Sequence, residues 1–306
     1  MTSRKEFTEI VVIVPWQASD AVENFFMEQG ALGAAVEKLD IGGETETVRA
    51  YFPADKAPDH LKRSLWVYLE SIENYFTSTT KWHASIRSIS EEDWEDRWKA
   101  FFRPVRVTRR IVVKPTWQTY DAGENDMVLE IDPGMAFGTG LHVTTQLCLQ
   151  MIDREIGRRM EGGKVPSLLD VGTGSGILAI AAGRLGARPV LGIDIDDRAI
   201  EAARRNVKKN GVEQMVRIIS GSLDAVGGTF DFVLANIDLK TVTELKGKLT
   251  GHVSPGGQLV LSGILAKQKS LVRRLFTAQR FSLIDEKNRE GWSCVVFEKS
   301  RRRREH

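Results

Sequence analysis

Strand-like alternation of apolar and polar residues dominates the first part of the chain, and two stretches of helical spacing interrupt it. In chain order, the elements predicted here are a strand at 7–14, a helix at 18–29, strands at 34–39 and 48–52, a helix at 58–75 and a strand at 82–89. The order β-α-β-β-α-β is that of a ferredoxin-like module. Since no cluster of catalytic residue types occurs in it, we expect residues 1–89 to form a small α+β domain for recognition or scaffolding.

Aromatic residues at helical spacing follow this first domain. Ser90 and Asp93 stand three positions apart, as in a capping box. The aromatic residues are Trp94, Trp98, Phe101 and Phe102. The pattern predicts a linker helix within residues 90–104, and its aromatic side is more typical of packing between domains than of substrate stacking.

Strands and helices alternate through the rest of the chain. Strands are predicted at 105–115, 127–131, 168–171, 190–194, 216–219, 230–235, 259–262, 281–285 and 294–298, and helices at 145–152, 177–185, 198–210, 240–249 and 267–276. This alternation indicates a mostly parallel sheet with helices on both faces. The last two strands are joined by a link too short for a parallel crossover, so we expect an antiparallel hairpin. The predicted class is α/β, a Rossmann-like seven-stranded domain over residues 105–300 followed by a basic tail at 301–306.

Composition narrows the class of partner. The chain has 43 Lys and Arg against 41 Asp and Glu, so a general nucleic-acid-binding field is not indicated. The exception is Arg301–Arg304, which is either a solvated tail or a weak RNA contact.

Two cysteines are too few for a disulfide framework, and no metal-ligand spacing is present. No segment reaches the ~18 apolar residues of a membrane span, and the start of the chain lacks a signal-peptide pattern. We therefore expect a soluble cytoplasmic protein without a metal.

Three glycines spaced by two follow a predicted buried strand, in Leu168-Leu-Asp-Val-Gly-Thr-Gly-Ser-Gly176. Glycine has no Cβ, so backbone amides in such a turn can approach a ligand closely. A nicotinamide or flavin fingerprint requires its third glycine one position later, where Ile177 stands. With Asp170 before the first glycine, the spacing resembles motif I of class I S-adenosylmethionine-dependent methyltransferases, which makes Gly172 and Gly174 candidate cofactor contacts.

Two further polar residues stand at the carboxyl ends of predicted strands, where ligands bind in open α/β sheets. Asp194 can accept hydrogen bonds from both hydroxyls of a ribose, whereas Asp196 or Asp197 better fits the cap of the next helix. Asn236 is the candidate catalytic residue. Its amide oxygen can orient an attacking amine without adding negative charge, although it is also a common residue at strand ends. Presenting a neutral lysine at pH 7 costs about 4.6 kcal/mol, and a desolvated site lowers this cost.

A glycine-broken loop, 132–145, precedes the glycine turn in sequence. It lacks Gly-Lys-Ser/Thr, so it is not a phosphate-binding P-loop. Its glycine and hydroxyl content fits a loop that lies over a bound cofactor, with Phe137 and Thr139 as candidate contacts. His142 either contacts the cofactor or substrate or is buried and paired, and the sequence leaves both alternatives open.

Taken together, these motifs closely resemble the ribosomal protein L11 methyltransferase family (the PrmA type). The resemblance covers residues from about 5 to 298. It rests on four segments, at 132–145, 170–182, 192–196 and 235–237. It implies transfer of several methyl groups from S-adenosylmethionine to lysine side chains and the α-amino group of ribosomal protein L11, free or in the large subunit. It also implies a mobile N-terminal domain that presents the target. Carried onto matching positions, the family's cofactor ligands are Thr145, Gly172, Asp194 and Asn236.

The chain departs from the family pattern at Asp238, where an apolar or aromatic residue is more common, and in its arginine tail. Two alternatives to the leading function therefore stay open. One is a lysine methyltransferase that acts on another protein or a small amine. The other is a catalytically silent S-adenosylmethionine-binding adaptor. The predicted domain at residues 1–89 favours the ribosomal target over the first alternative, and intact Gly172, Asp194 and Asn236 argue against the second.

Overall fold

The computed structural model describes residues 6–31, 33–38, 44–54, 58–73, 83–90, 103–132, 142–277 and 280–301. The chain divides into two compact units between Phe102 and Arg103. Most of the predicted linker helix (91–102) lies outside the described residues, as does most of the loop before the glycine turn (133–141). Phe137 and Thr139 are therefore among the predicted site residues whose placement is not described.

The first unit is an antiparallel sheet with helices against one face. Its described elements are β1 (Glu6–Pro15), α1 (Trp16–Glu28), β2 (Gly33–Lys38), β3 (Thr45–Pro53), α2 (Pro58–Glu73) and β4 (His83–Ser90). The strand order is β2-β3-β1-β4, and every neighbouring pair is antiparallel. Alternate residues of β1, such as Ile10 and Val12, pack against Phe26 of α1 and Leu65 of α2 in one core. The strand alternation of the sequence thus separates a helix-covered face from a second face.

The second unit begins with a small sheet and continues into the large one. Its described helices and strands are β5 (Val105–Arg106), β6 (Ile111–Lys114), β7 (Met127–Glu130), α3 (Val143–Glu161), β8 (Leu168–Val171), α4 (Ile177–Arg184), β9 (Val190–Asp194), α5 (Asp197–Lys209), β10 (Val216–Ser220), β11 (Phe230–Asn236), α6 (Leu239–Gly251), β12 (Val253–Leu265), α7 (Lys269–Thr277), β13 (Phe281–Arg289) and β14 (Trp292–Lys299). The small sheet has the order β5-β6-β7.

Among the described residues, the large sheet contains seven strands in the order β10-β9-β8-β11-β12-β14-β13. Strands β8 to β12 pair in parallel, and β14 runs antiparallel to both of its neighbours. Helices α3, α4 and α5 pack against one face, and α6 and α7 against the other. This mixed sheet between helices confirms the predicted α/β class. The strand order reverses between β8 and β11, and the carboxyl ends of these strands are where such sheets bind ligands.

Several element boundaries differ from the prediction. The strand predicted at 105–115 is two strands, because the Thr108 hydroxyl accepts hydrogen bonds from the backbone N–H groups of Arg110 (3.3 Å) and Ile111 (2.9 Å) and closes a turn. The strand predicted at 259–262 is the much longer β12, which has hydrogen-bonded neighbours on both sides. The antiparallel β13–β14 hairpin is confirmed, with Glu290 and Gly291 as its turn, both at positive φ.

No helix in the described parts of the chain combines the length and apolar character that a membrane crossing requires.

Candidate active site

The glycine turn joins β8 to α4 at the point where the strand order reverses. Gly172, Gly174 and Gly176 all have positive φ (69°, 54° and 80°), a conformation that favours glycine. A Cβ on Gly172 would lie 2.8 Å from Cγ2 of Ile237, and one on Gly176 would lie 3.1 Å from Cβ of Ala203. The sequence therefore needs glycine here for backbone conformation and for close packing.

The buried side chain of Asp170 stabilises this turn. Its carboxylate is buried, and Oδ2 accepts a 2.6 Å hydrogen bond from the Thr173 hydroxyl, while Oδ1 has no hydrogen-bond partner among the described residues. Burial raises the pKa of Asp170 to about 6, and the negative charge of Asp194 acts in the same direction. Asp170 thus shapes the turn from beneath and is not exposed to a ligand.

Asp194 ends β9 beside the glycine turn. Its Oδ2 accepts a 2.9 Å hydrogen bond from the Gly174 N–H, and Oδ1 accepts one of 3.1 Å from the Asp196 N–H. Each carboxylate oxygen has two lone pairs, so each retains one acceptor site. Asp196 caps α5 by accepting a hydrogen bond from the Arg198 N–H (2.9 Å), which confirms the cap predicted at Asp196 or Asp197.

Ile195 is a further candidate site residue, which the sequence analysis did not name. Its side chain is 81% exposed, directly after Asp194. A large apolar side chain that stays in water at the carboxyl edge of a sheet provides a surface for a flat apolar ligand group. The sequence contains a signal for it, because a single apolar residue stands between Asp194 and Asp196, just beyond the end of the strand.

Asn236 ends β11, and its side-chain amide is held by Thr145. Nδ2 of Asn236 donates a 3.3 Å hydrogen bond to Oγ1 of Thr145, which is buried in the first turn of α3. Oδ1 of Asn236 is buried and has no hydrogen-bond partner among the described residues. An unpaired buried acceptor is costly, so this oxygen is suited to accept an N–H from a bound group.

The segment after Asn236 is fixed by close packing. A Cβ on Gly263 would lie 2.5 Å from the carbonyl oxygen of Ile237, and the Ile237 side chain reaches Gly172 on its other side. Asp238 caps α6 by accepting hydrogen bonds from the backbone N–H (3.1 Å) and the hydroxyl (2.5 Å) of Thr241. Burial opposes ionisation of Asp238, but the hydrogen bonds from Thr241 prevail and lower its pKa. The departure from the family pattern at Asp238 therefore has a structural reason: the residue is a helix cap.

His142 is half-buried and paired, which is nearer to the second of its two predicted alternatives. Its Nδ1 lies 2.7 Å from Oγ1 of Thr144 and accepts a hydrogen bond from the Thr144 N–H (3.3 Å), so the imidazole caps α3. The ring packs edge-on against Trp292, with centroids 5.1 Å apart. Burial lowers the pKa of His142 to about 4, although the charge of Glu290 acts in the opposite direction. The imidazole is therefore neutral at pH 7.

Asn206 is a further residue that the sequence analysis missed. It is fully buried on α5, and its amide accepts from the Asp132 N–H (3.0 Å) while donating to the carbonyl oxygens of Asp132 (3.1 Å) and Ser175 (2.9 Å). One side chain thus joins the glycine turn to Asp132, two residues after the end of β7. Asn210, one turn later, bonds the backbone of Glu130 in the same way. An asparagine pair on the apolar side of an amphipathic helix was the available signal.

The two cysteines are free and buried, on α3 and β14, as the cysteine count led us to expect. Hydrogen bonding to Cys294 and burial raise the pKa of Cys148, which keeps this thiol protonated.

The structure therefore brings five predicted site residues to the carboxyl edge of the large sheet, joined by direct contacts. Gly174 bonds Asp194, and Asn236 bonds Thr145. Gly172 lies against Ile237, the residue after Asn236. The arrangement combines a turn built of glycines, a carboxylate with remaining acceptor sites and an unpaired amide oxygen.

Comparison with known proteins shows which family this chain is similar to. Residues 6–300 match a family model described as ribosomal protein L11 methyltransferase (PrmA). The chain is 37% identical over 304 residues to the ribosomal protein L11 methyltransferase of Geobacter sp. (strain M21), covering 96% of this chain and 98% of that protein. It is 38% identical over 318 residues to that of Pelobacter propionicus, covering 99% and 100%. The crystal structure of a ribosomal protein L11 methylase from Lactobacillus delbrueckii subsp. bulgaricus matches with a TM-score of 0.60 and 32% identity, covering 65% of this chain and 100% of that one.

Proposed function

Because the chain belongs to the ribosomal protein L11 methyltransferase family, we propose that it is an S-adenosylmethionine-dependent protein N-methyltransferase acting on ribosomal protein L11. The methyl groups go to lysine side chains and the α-amino group of this target. The observation that carries the proposal is the carboxyl edge of the sheet, where the glycine turn, Asp194 and Asn236 are in contact through their own and neighbouring residues.

The residues at this edge fit S-adenosylmethionine. Asp194 retains one acceptor site on each carboxylate oxygen, which matches the two hydroxyls of a ribose. Ile195 offers an exposed apolar side chain to the adenine ring. Gly172 and Gly174 adopt the positive φ angles that form the turn, which we place against the ligand. Thr145, implied by the resemblance, and Phe137 and Thr139, candidate contacts of the loop before α3, complete the set.

S-adenosylmethionine supplies a methyl group that is already activated on a sulfonium, so the protein's task is to position an uncharged amine. The unpaired Oδ1 of Asn236 accepts an N–H of the target amine and orients its lone pair. As a neutral group it does so without the negative charge that would hold the proton on the nitrogen. Thr145 fixes the amide by accepting a hydrogen bond from its nitrogen. Asn236 is thus a positioning group for the amine and not a general base.

The first unit is proposed to recognise the target. Its strand order β2-β3-β1-β4 is that of a ferredoxin-like sheet, which supports a ferredoxin-like recognition domain at residues 1–89 followed by a linker helix within 90–104. The methyltransferase domain then occupies residues 105–300. We place the activity in the cytoplasm, on ribosomal protein L11 either free or in the large subunit.

The direct experiment uses purified protein, methyl-labelled S-adenosylmethionine and a ribosomal extract, followed by mass spectrometry of the labelled band. The expected result is label on lysine and N-terminal amine positions of ribosomal protein L11. Asp194→Ala serves as the control and should suppress the labelling. Label on a different protein would identify the alternative acceptor, and binding of S-adenosylmethionine without any labelling would identify a silent adaptor. Either result would contradict the proposal.

A further inference from the structure

A second concave site lies at the opposite edge of the large sheet, where β8, β11 and β12 begin. It is a groove of about 900 Å³ beside the C-terminal half of α3. Its cationic side chains come from α3, from the segment after it and from the end of the chain: Arg154, Arg158, Arg159, Lys164 and Arg301. The groove therefore shares no residue with the glycine turn, Asp194 or Asn236.

Two of these cations are held by acids or by a backbone carbonyl. Arg159 donates to Asp231 (3.1 Å) and to the carbonyl oxygen of Gly256 (3.0 Å). Arg154 pairs with Glu155 (2.8 Å) and with Asp285. These arginines are held by acids and carry little free charge.

The other three cations of the groove are much less neutralised by acids. Lys164 and Arg301 form no salt bridge with any residue that the structure describes. Arg158 is 71% exposed, and its one described ion pair, with Glu155, is long at 3.5 Å. The groove thus combines two anchored arginines with three less neutralised cations, against one lining acid, Glu298, that forms no salt bridge with any described residue.

A buried polar group in the groove lacks a partner. Gln258 is 5% exposed, and its Nε2 donates a 3.3 Å hydrogen bond to Glu155. Its Oε1 is buried and has no hydrogen-bond partner among the described residues. Since Oε1 is an acceptor, a ligand that satisfies it must carry an N–H or O–H donor as well as negative charge.

We propose that this groove binds RNA, with backbone phosphates on Arg158, Lys164 and Arg301 and a ribose 2′-hydroxyl donating to Gln258. Arginine forks suit phosphate oxygens, and the 2′-hydroxyl supplies the donor that a phosphate lacks. Three more arginines follow Arg301 directly in sequence and add positive charge at the end of the chain. This surface goes beyond the methyl transfer proposed above and does not depend on it.

The lining of the groove favours RNA over an acidic peptide. Protein partners are usually held by large apolar or aromatic anchors in fitted pockets. Among the residues that line this groove, Ile284 is the single large apolar side chain, and it is 46% exposed. Phosphate contacts need charge and hydrogen-bond donors but no such anchor.

Fluorescence anisotropy with a labelled single-stranded RNA tests the proposal, in the absence of S-adenosylmethionine and of any ribosomal protein. The test variant is Arg158→Gln/Lys164→Gln/Arg301→Gln. The matched control, Arg205→Gln/Lys208→Gln/Arg217→Gln, removes the same charge from exposed positions on α5 and β10. Thermal melting establishes that both variants are folded.

We expect wild type to bind RNA with an affinity that falls with salt. Each lost phosphate contact changes the slope of log K against log salt by about 0.7, so the test variant should lower the slope by about 2 and weaken binding at least about tenfold. The control should stay within about twofold of wild type. In addition, Gln258→Leu should remove a preference for RNA over DNA of the same sequence while leaving the salt slope unchanged.

Three results would overturn the proposal. One is equal loss of RNA binding in the test and control variants, which would indicate a diffuse charge effect. Another is no measurable binding by wild type at low salt. The third is tighter binding of polyglutamate than of RNA through the same three residues, which would make the groove an acidic-peptide site. Because the assay contains no methyl donor, each of these results is independent of whether the protein methylates ribosomal protein L11.

Discussion

The backbone N–H of Gly174 donates a 2.9 Å hydrogen bond to Oδ2 of Asp194, which ties the glycine turn to the end of β9. The carboxylate therefore has two effects. It retains acceptor sites, which we propose that a ribose occupies, and it holds the backbone of the glycine turn in place. Both effects should contribute to the affinity for the cofactor.

Replacing Asp194 should weaken the binding of S-adenosylmethionine. A charged hydrogen bond contributes about 1.5–3 kcal/mol, so Asp194→Ala should raise Kd by about 10- to 150-fold in isothermal titration calorimetry. Asp196→Ala is the matched control, since it removes a carboxylate two positions away that caps α5. It should lower thermal stability with little effect on Kd. An unchanged Kd in Asp194→Ala would refute the ribose assignment.

Replacing Asn236 should affect turnover more than cofactor affinity, because its unpaired oxygen positions the amine. We expect Asn236→Ala to lower kcat by at least about tenfold and to change the Kd of S-adenosylmethionine by less than about threefold. Thr145→Val, which removes the hydroxyl that holds the amide, should give a smaller loss of kcat. The reverse pattern, a large change in Kd with kcat retained, would make Asn236 mainly a cofactor ligand.

Asp170 should give the fold a measurable pH dependence. Its pKa of about 6 lies above the ordinary 3.8, so the native state holds the proton more tightly than the unfolded state. The stability that protonation contributes, up to about 3 kcal/mol, is present at low pH and lost as pH rises from about 4 to 6. The Tm of Asp170→Asn relative to wild type should therefore increase between pH 4 and pH 7. A Tm difference that is constant over this range would show that Asp170 is ionised in the native protein without penalty.

His142 should give the stability of the fold a pH dependence of opposite sign to that of Asp170, over a similar range of pH. Its pKa of about 4 lies below the ordinary 6.5, so the unfolded state holds the proton more tightly and stability is lost as pH falls from about 6.5 to 4. In His142→Gln this loss is absent, and its Tm relative to wild type should increase as pH falls. The two variants should thus show Tm differences of opposite slope. Parallel slopes would contradict at least one of the two buried sites.

Removing the first unit tests its role in recognition. Deletion of residues 1–102, at the boundary between the compact units, should leave the Kd of S-adenosylmethionine within about threefold of the full chain. The same deletion should abolish methylation of ribosomal protein L11. Full methylation of the target by the truncated protein would remove the case for a recognition domain.

Local patterns in the sequence predicted much of the large sheet. The strand that ends at Asp194 is apolar and uninterrupted, and the following helix has its own cap, so both boundaries are set by neighbouring residues. The glycine turn was equally readable, because the positive φ values occur where the sequence places glycine.

Long-range contacts account for what the sequence did not predict. Strand β12 runs through Pro255, Gly256, Gly257 and Gly263, which are strand breakers when considered locally. It persists because β11 and β14 both pair with residues 258–261, while the breakers fall where the register shifts. Asn206 bonds Asp132, which is 74 positions away, and Thr145 bonds Asn236, which is 91 positions away. No local pattern indicates such partners.

The most direct test of the account is a crystal structure of the full chain with bound S-adenosylmethionine. It should show the ribose hydroxyls within hydrogen-bond distance of Asp194 and the methyl-bearing sulfur beside Asn236. The rest of the ligand should lie against Gly172 and Gly174. A complex in which the methyl donor lies elsewhere on the protein, with this edge of the sheet free of it, would contradict the assignment of the site.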